Sequence, residues 1–121
     1  MLSGRNQCRW VANLSVVVGT FVAMFVAGRR RLGPRYAAAR AVVERHCVGC
    51  HSEQPTVVAF PIAAGGILLD TAEEMQRHAE RIKIRVVEQR SMPLLNKSEM
   101  TKDERSLLGA WVDCGAVGPE L

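Results

Sequence analysis

Cys47-Val48-Gly49-Cys50-His51 is the stretch whose reading decides the rest of this chain. Two thiols separated by two residues, with an imidazole directly after the second, form the attachment signature of a c-type haem. The sulfurs add to the two vinyl groups of the porphyrin and the imidazole ligates the iron. Two intervening residues let a single turn of backbone present both sulfurs to one edge of the macrocycle, and His51 is left beneath the iron. Gly49 is expected to let that backbone lie close to the ring.

Two blander chemistries compete for a C-x-x-C pair. A zinc knuckle needs a second pair of Cys or His at ligand spacing, and the chain offers the isolated Cys114 and His78. A redox dithiol belongs at the start of a helix that follows a strand, and no βαβ pattern is present. The motif therefore predicts one covalent haem c carrying one iron, with Cys47 and Cys50 as attachment points and His51 as an iron ligand.

Outward from the motif, the pattern is helical. Tyr36 to His46 reads as a helix rich in Ala, with Val42 and Val43 on its inner side, and it delivers the motif at its end. Gly33-Pro34 opens the soluble region, since proline suits a first helical turn. Ser52 to Gly66 has no periodicity, and Pro55, Pro61 and Gly65-Gly66 mark a loop wrapping one edge of the haem. A loop of that length needs something to pack against, which the cofactor would supply.

Two capping boxes lie further on. Thr71-Ala72-Glu73-Glu74 opens a helix in which Met75, Ala79, Ile82 and Val86 make one apolar face; it ends near Arg90, before Ser91-Met92-Pro93. Thr101-Lys102-Asp103-Glu104 opens the last helix, with Leu107, Leu108, Trp111 and Val112 on its buried side. A glycine costs a helix interior roughly 1 kcal/mol relative to Ala. Gly109 is therefore expected at a close contact with the Ala-rich first helix. No strand pattern appears after residue 33, so the fold class is all-α, with the haem supplying much of a small core.

The iron needs a sixth ligand. Met75 lies on an apolar helix face and reads as core. Met100 precedes a helix N-cap and reads as a hydrophobic staple, and His78 shares its helix with many charges and reads as solvated. Met92 follows a helix, precedes a proline that favours extended chain, and lies 41 residues beyond His51, enough for a return over the opposite haem face. Met92 is the expected distal ligand.

The 121 residues carry a formal charge of +4, with 23% charged and 5% aromatic residues. Residues 1 to 35 hold six arginines and no acid, whereas the remainder holds 10 basic and 12 acidic side chains. The positive charge thus flanks an apolar run, which argues against a nucleic-acid-binding face. The run, about 10–28, is 19 residues long and reaches ~28 Å as a helix, enough to cross a bilayer core. It reads as a retained membrane anchor within an N-terminal segment 1–32, followed by a haem domain 33–121. A secretory signal cleaved near Val26-Ala27-Gly28 is the competing reading. Arg29-Arg30-Arg31 would by the positive-inside rule hold its flank inside, while haem is attached outside; earlier helices of a longer chain would override it. A retained anchor also separates Cys8 from Cys114 and excludes a disulfide between them, so Cys114 reads as a small buried residue near a helix end.

Taken with the motif, several further stretches carry a resemblance. They are Gly65 to Thr71, Arg81-Ile82, Met92-Pro93-Leu94-Leu95-Asn96, Met100-Thr101, Glu104-Arg105 and Leu108-Gly109-Ala110-Trp111 with Gly115-Ala116. Over about residues 36 to 117 the chain resembles a class I cytochrome c, and more narrowly the cytochrome c domain at the C-terminus of bacterial membrane-bound urate hydroxylases (urate oxidases). The resemblance implies a small all-α fold preceded by one transmembrane helix, thioether bonds at Cys47 and Cys50, and His51 and Met92 as axial ligands. It also implies a bacterial inner-membrane location with the haem domain facing the periplasm. Two classes of function are then open. One is an electron carrier, not an enzyme, serving redox partner proteins such as a dehydrogenase donor and an oxidase acceptor. The other is the electron-accepting domain of a membrane-bound urate-oxidising enzyme, whose multi-helix catalytic portion this chain lacks.

Overall fold

The computed structural model describes residues 36–119, and the expected anchor at 10–28, the Gly33-Pro34 boundary and Cys8 lie outside them. Helix α1 spans Tyr36–His46, α2 Ala72–Arg77 and α3 Ala79–Ile82; α3 continues into a wider π turn, Lys83–Glu88, and α4 spans Lys102–Asp113. Short 3₁₀ turns sit at Ala64–Gly66 and Leu94–Asn96. Among the described residues there is no strand, so this part of the chain is all-α. Among them, too, no helix is long and apolar enough to cross a membrane.

Both capping boxes form as their sequences require. The Thr71 and Thr101 hydroxyls accept from the Glu74 and Glu104 amides, and each glutamate accepts in return from the amide of its threonine. Two donors that the helix start would leave unpaired are thereby satisfied at each end. The core forms where the apolar stripes meet. Met75, Ala79, Ile82 and Val86 are all buried, as are Ala39, Val42 and Val43 of α1. Leu108, Trp111 and Val112 of α4 close the core from the other side, whereas Leu107 is only half-buried. Helix α4 packs on both α1 and the π turn, so it braces the two segments that carry Cys47 and Met92.

The structure departs from the expected geometry in the helix predicted from Thr71 to Arg90 and at Gly109. The single helix predicted from Thr71 to Arg90 is interrupted at His78 and unwinds into the π turn, where Gln89 N–H donates to Ile84 C=O at 2.9 Å. β-Branched Ile84, Val86 and Val87 weaken the α-helical preference of this stretch, and the wider winding keeps Val86 inside. Gly109 faces Val87 rather than α1: a Cβ there would meet the Val87 methyls at 3.4 Å. Helix α4 ends in a Schellman arrangement. Gly115, at φ 97°, donates to Val112 C=O and Ala116 to Trp111 C=O, both at 2.9 Å. The buried Trp111 indole donates to Val117 C=O at 3.0 Å, which ties the following segment across the helix.

Candidate cofactor-binding site

The motif continues α1 as a further turn. Cys47 N–H donates to Val43 C=O at 2.8 Å, and the amides of Cys50 and His51 both donate to Cys47 C=O, at 3.1 and 2.9 Å. Both thiols and the imidazole are thus carried on one compact turn, in which the amides of Cys47, Val48, Cys50 and His51 donate to the carbonyls of Val43 or Cys47. The loop after it folds back on that turn: Gly49 C=O accepts from Thr56 and Val57, Cys50 C=O from Ala64, and His51 C=O from Leu69. A Cβ at Gly49 would meet Val57 and Thr56 of the returning loop at 3.4 and 3.5 Å, ordinary contact distances.

Cys47 and Cys50 are the free cysteines among the described residues, both half-buried. Cys114, at the α4 C-cap, is half-buried and partnered, where a plain buried residue was expected. Burial, and secondarily the neighbouring Cys50 sulfur, pushes the Cys47 thiol up to about 12. A thiol held in its neutral form is the opposite of the depressed thiolate that a redox dithiol uses. Among the described residues, no three His, Cys, Asp or Glu side chains gather so as to hold a bare ion. The Nδ1 atom of His51 is buried and finds no partner in the protein. A buried imidazole nitrogen without a protein partner leaves that ring free to meet a bound group or a water, and imidazole is a common iron ligand.

The base of the motif is bound to α4. His46, with its side chain 1% exposed, has Nδ1 2.8 Å from Ser98 Oγ and Nε2 3.2 Å from Glu104 Oε1. The latter lies off a hydrogen-bond axis, which leaves Nε2 unpaired in that sense. The Glu104 carboxyl is held down to about 2, first by the Thr101 amide and then by His46. Arg45 adds a more exposed contact to Glu104 at 2.9 Å. On the other flank Lys83, raised chiefly by its bond to Asp113, links the π turn to α4.

The three described methionines separate by environment. Met75 and Met100 are buried in the core, Met75 with its sulfur 3.9 Å from Arg40 Nη1 and Met100 with its N–H on Asn96 Oδ1. Met92 alone of the three keeps exposed surface while packing on the core edge. His78 is half-buried at the α2–α3 junction rather than fully solvated. Exposed apolar side chains stand on both stretches that a haem would adjoin: Val57, Val58 and Ile62 after the motif, Leu94 and Leu95 after Met92-Pro93. Such uncovered apolar groups beside a set of donors fit the faces of a porphyrin. The residues present therefore fit the group that the motif implies. Sequence reasoning missed Arg105 and Asn96, which hold the Met92 loop; the only signal was their place beside two methionines and a capping box.

No family model, curated protein or solved structure matches this chain.

Proposed function

We propose that this domain is a class I cytochrome c that carries single electrons through one covalent haem c. The observation that supports this best is the pair of free thiols and an unpartnered imidazole on one turn, with Met92 the one described methionine left part-exposed. A bound haem supplies a one-electron iron couple whose potential is set by its axial ligands and surroundings. Cys47 and Cys50 would tether it, and His51 and Met92 would ligate its iron. With both ligands supplied by the protein no site would remain for a substrate, so the reading is a carrier and not an enzyme. Its partners are a dehydrogenase-type donor and an oxidase-type acceptor, and the apolar run at 10–28 would hold it to the inner membrane with the haem domain in the periplasm. The second reading, the electron-accepting domain of a membrane-bound urate-oxidising enzyme, is favoured by the stretches from Gly65 to Ala116 that resemble such domains.

A thioether is a soft neutral donor that favours ferrous iron, so removing it lowers the potential. For a one-electron couple ~59 mV corresponds to ~1.4 kcal/mol, and a fall of a few hundred millivolts would represent several kcal/mol of lost ferrous preference. Met92→Ala should abolish the weak ferric absorption at the red end that reports sulfur ligation, lower the potential and open the iron to carbon monoxide. Met75→Ala and Met100→Ala should leave all three unchanged. If Met92→Ala changes nothing while Met100→Ala changes the spectrum and potential, the distal ligand is Met100.

A further inference from the structure

The segment around Met92 is held by hydrogen bonds that the π turn makes possible. In an α-helix the carbonyls of Arg85 and Val86 would accept from residues four places on. Here the register is shifted by one, and both carbonyls serve the loop. Arg85 C=O accepts from Met92 N–H at 3.1 Å and from Ser91 Oγ at 3.3 Å. Val86 C=O accepts from Arg105 Nη1 at 2.6 Å, and the same nitrogen donates to Met92 C=O at 2.7 Å. Arg105 Nη2 reaches Asn96 Oδ1 at 3.1 Å, while the Asn96 side chain also brackets both backbone groups of Met100. Both main-chain groups of Met92 are thus fixed, one by the π turn and one by a guanidinium from α4.

The loop needs such restraint. Arg90, Leu95, Asn96 and Glu99 all adopt left-handed backbone, with φ of 53°, 53°, 48° and 58°. Non-glycine residues hold that conformation only when their surroundings over-determine it, and clusters of them mark functional segments. Among the described residues, Arg105 is the one side chain that joins the π turn, Met92 and Asn96.

On the reading that Met92 is the distal ligand, we propose that Arg105 is its positioning residue: the guanidinium locks the Met92 backbone so that the thioether resists displacement by competing ligands. The bland alternative is a staple that stabilises the fold and nothing more. The two differ at the iron. A staple changes unfolding without changing ligand exchange in the folded protein, whereas a positioning residue changes ligand exchange directly.

The test uses full-length holoprotein and titrates the ferric form with imidazole, which must displace the sulfur, while the red absorption and the potential are followed. Lost hydrogen bonds from a charged donor predict that Arg105→Met raises imidazole affinity about tenfold to a hundredfold. Its potential should fall and its haem stay covalently attached. Arg105→Lys, with a single donor group, should fall between and keeps the test open if the methionine variant does not fold. Lys83→Met removes the neighbouring link to Asp113 without touching Met92, and should leave the affinity unchanged. The proposal is overturned if both Arg105 variants bind imidazole like wild type, or if Lys83→Met raises the affinity equally. Met92→Ala runs alongside: if it too leaves affinity and spectrum unchanged, the ligand assignment has failed, and with it the proposal.

Discussion

Glu104→Gln isolates one charge at the joint between α4 and the base of the motif. Gln keeps the length and the acceptor oxygen of a capping box, so the return bond to the Thr101 amide survives and only the ionic part is lost. In the folded protein the carboxyl sits at about 2 against an ordinary 4.5. At ~1.36 kcal/mol per unit, that gap of roughly 2.5 units sets a ceiling of about 3.4 kcal/mol. The side chain is 17% exposed, yet it lies at the edge of the domain, and its arginine partner Arg45 is 70% exposed. The Thr101 amide bond, the largest cause, survives the substitution, and solvent screening reduces the remainder to about 1 kcal/mol. The sign comes from the depressed value. The stabilisation is fully present above pH 4.5, declines as pH falls and is gone near pH 2. Urea unfolding followed by tryptophan fluorescence should therefore show Glu104→Gln less stable by about 1 kcal/mol at pH 7, with the difference closing between pH 4.5 and 2. A difference that is the same at pH 7 and near pH 2, or none at pH 7, would refute the role assigned to this carboxylate.

Gly109→Ala should be neutral or stabilise by up to ~1 kcal/mol in urea unfolding, because the added methyl meets Val87 at ordinary contact distance and the helix gains propensity; a clear loss would mean that Val87 cannot yield. Protease added to spheroplasts should remove the haem-stained domain while cytoplasmic proteins survive, and protection of that domain would place it on the other side of the membrane.

Much of the helical framework was legible because it rests on short-range chemistry. Thr71 with Glu74 and Thr101 with Glu104 specify helix starts by the bonds they exchange, and the spacing of Met75, Ala79, Ile82 and Val86 names the face that the core buries. The winding beyond Ile82 was not legible. A π turn differs from an α-helix by one residue of register, which no apolar period reveals, and the left-handed residues around Met92 include no glycine to announce them. The partner of Gly109 was misread for a related reason. A glycine signals a close approach but not from which side, and the π turn rather than α1 lies against it. Within the candidate site, Cys47, Cys50 and His51 are proposed from the motif's spacing and Met92 from its place after a helix and before a proline. The bonds of Arg105 could not, since they cross 13 and 19 residues to main-chain carbonyls that carry no side-chain signature.

The most direct test of the cytochrome reading is the mass of the intact full-length protein, expressed with a functional haem-maturation system and denatured before measurement. A cytochrome c must be one haem heavier than its polypeptide, with the added mass on the peptide containing Cys47 to His51 and lost in Cys47→Ala/Cys50→Ala. An unmodified mass with Cys47 and Cys50 both titrating as free thiols, or haem that survives acidified organic extraction in the double variant, would contradict it.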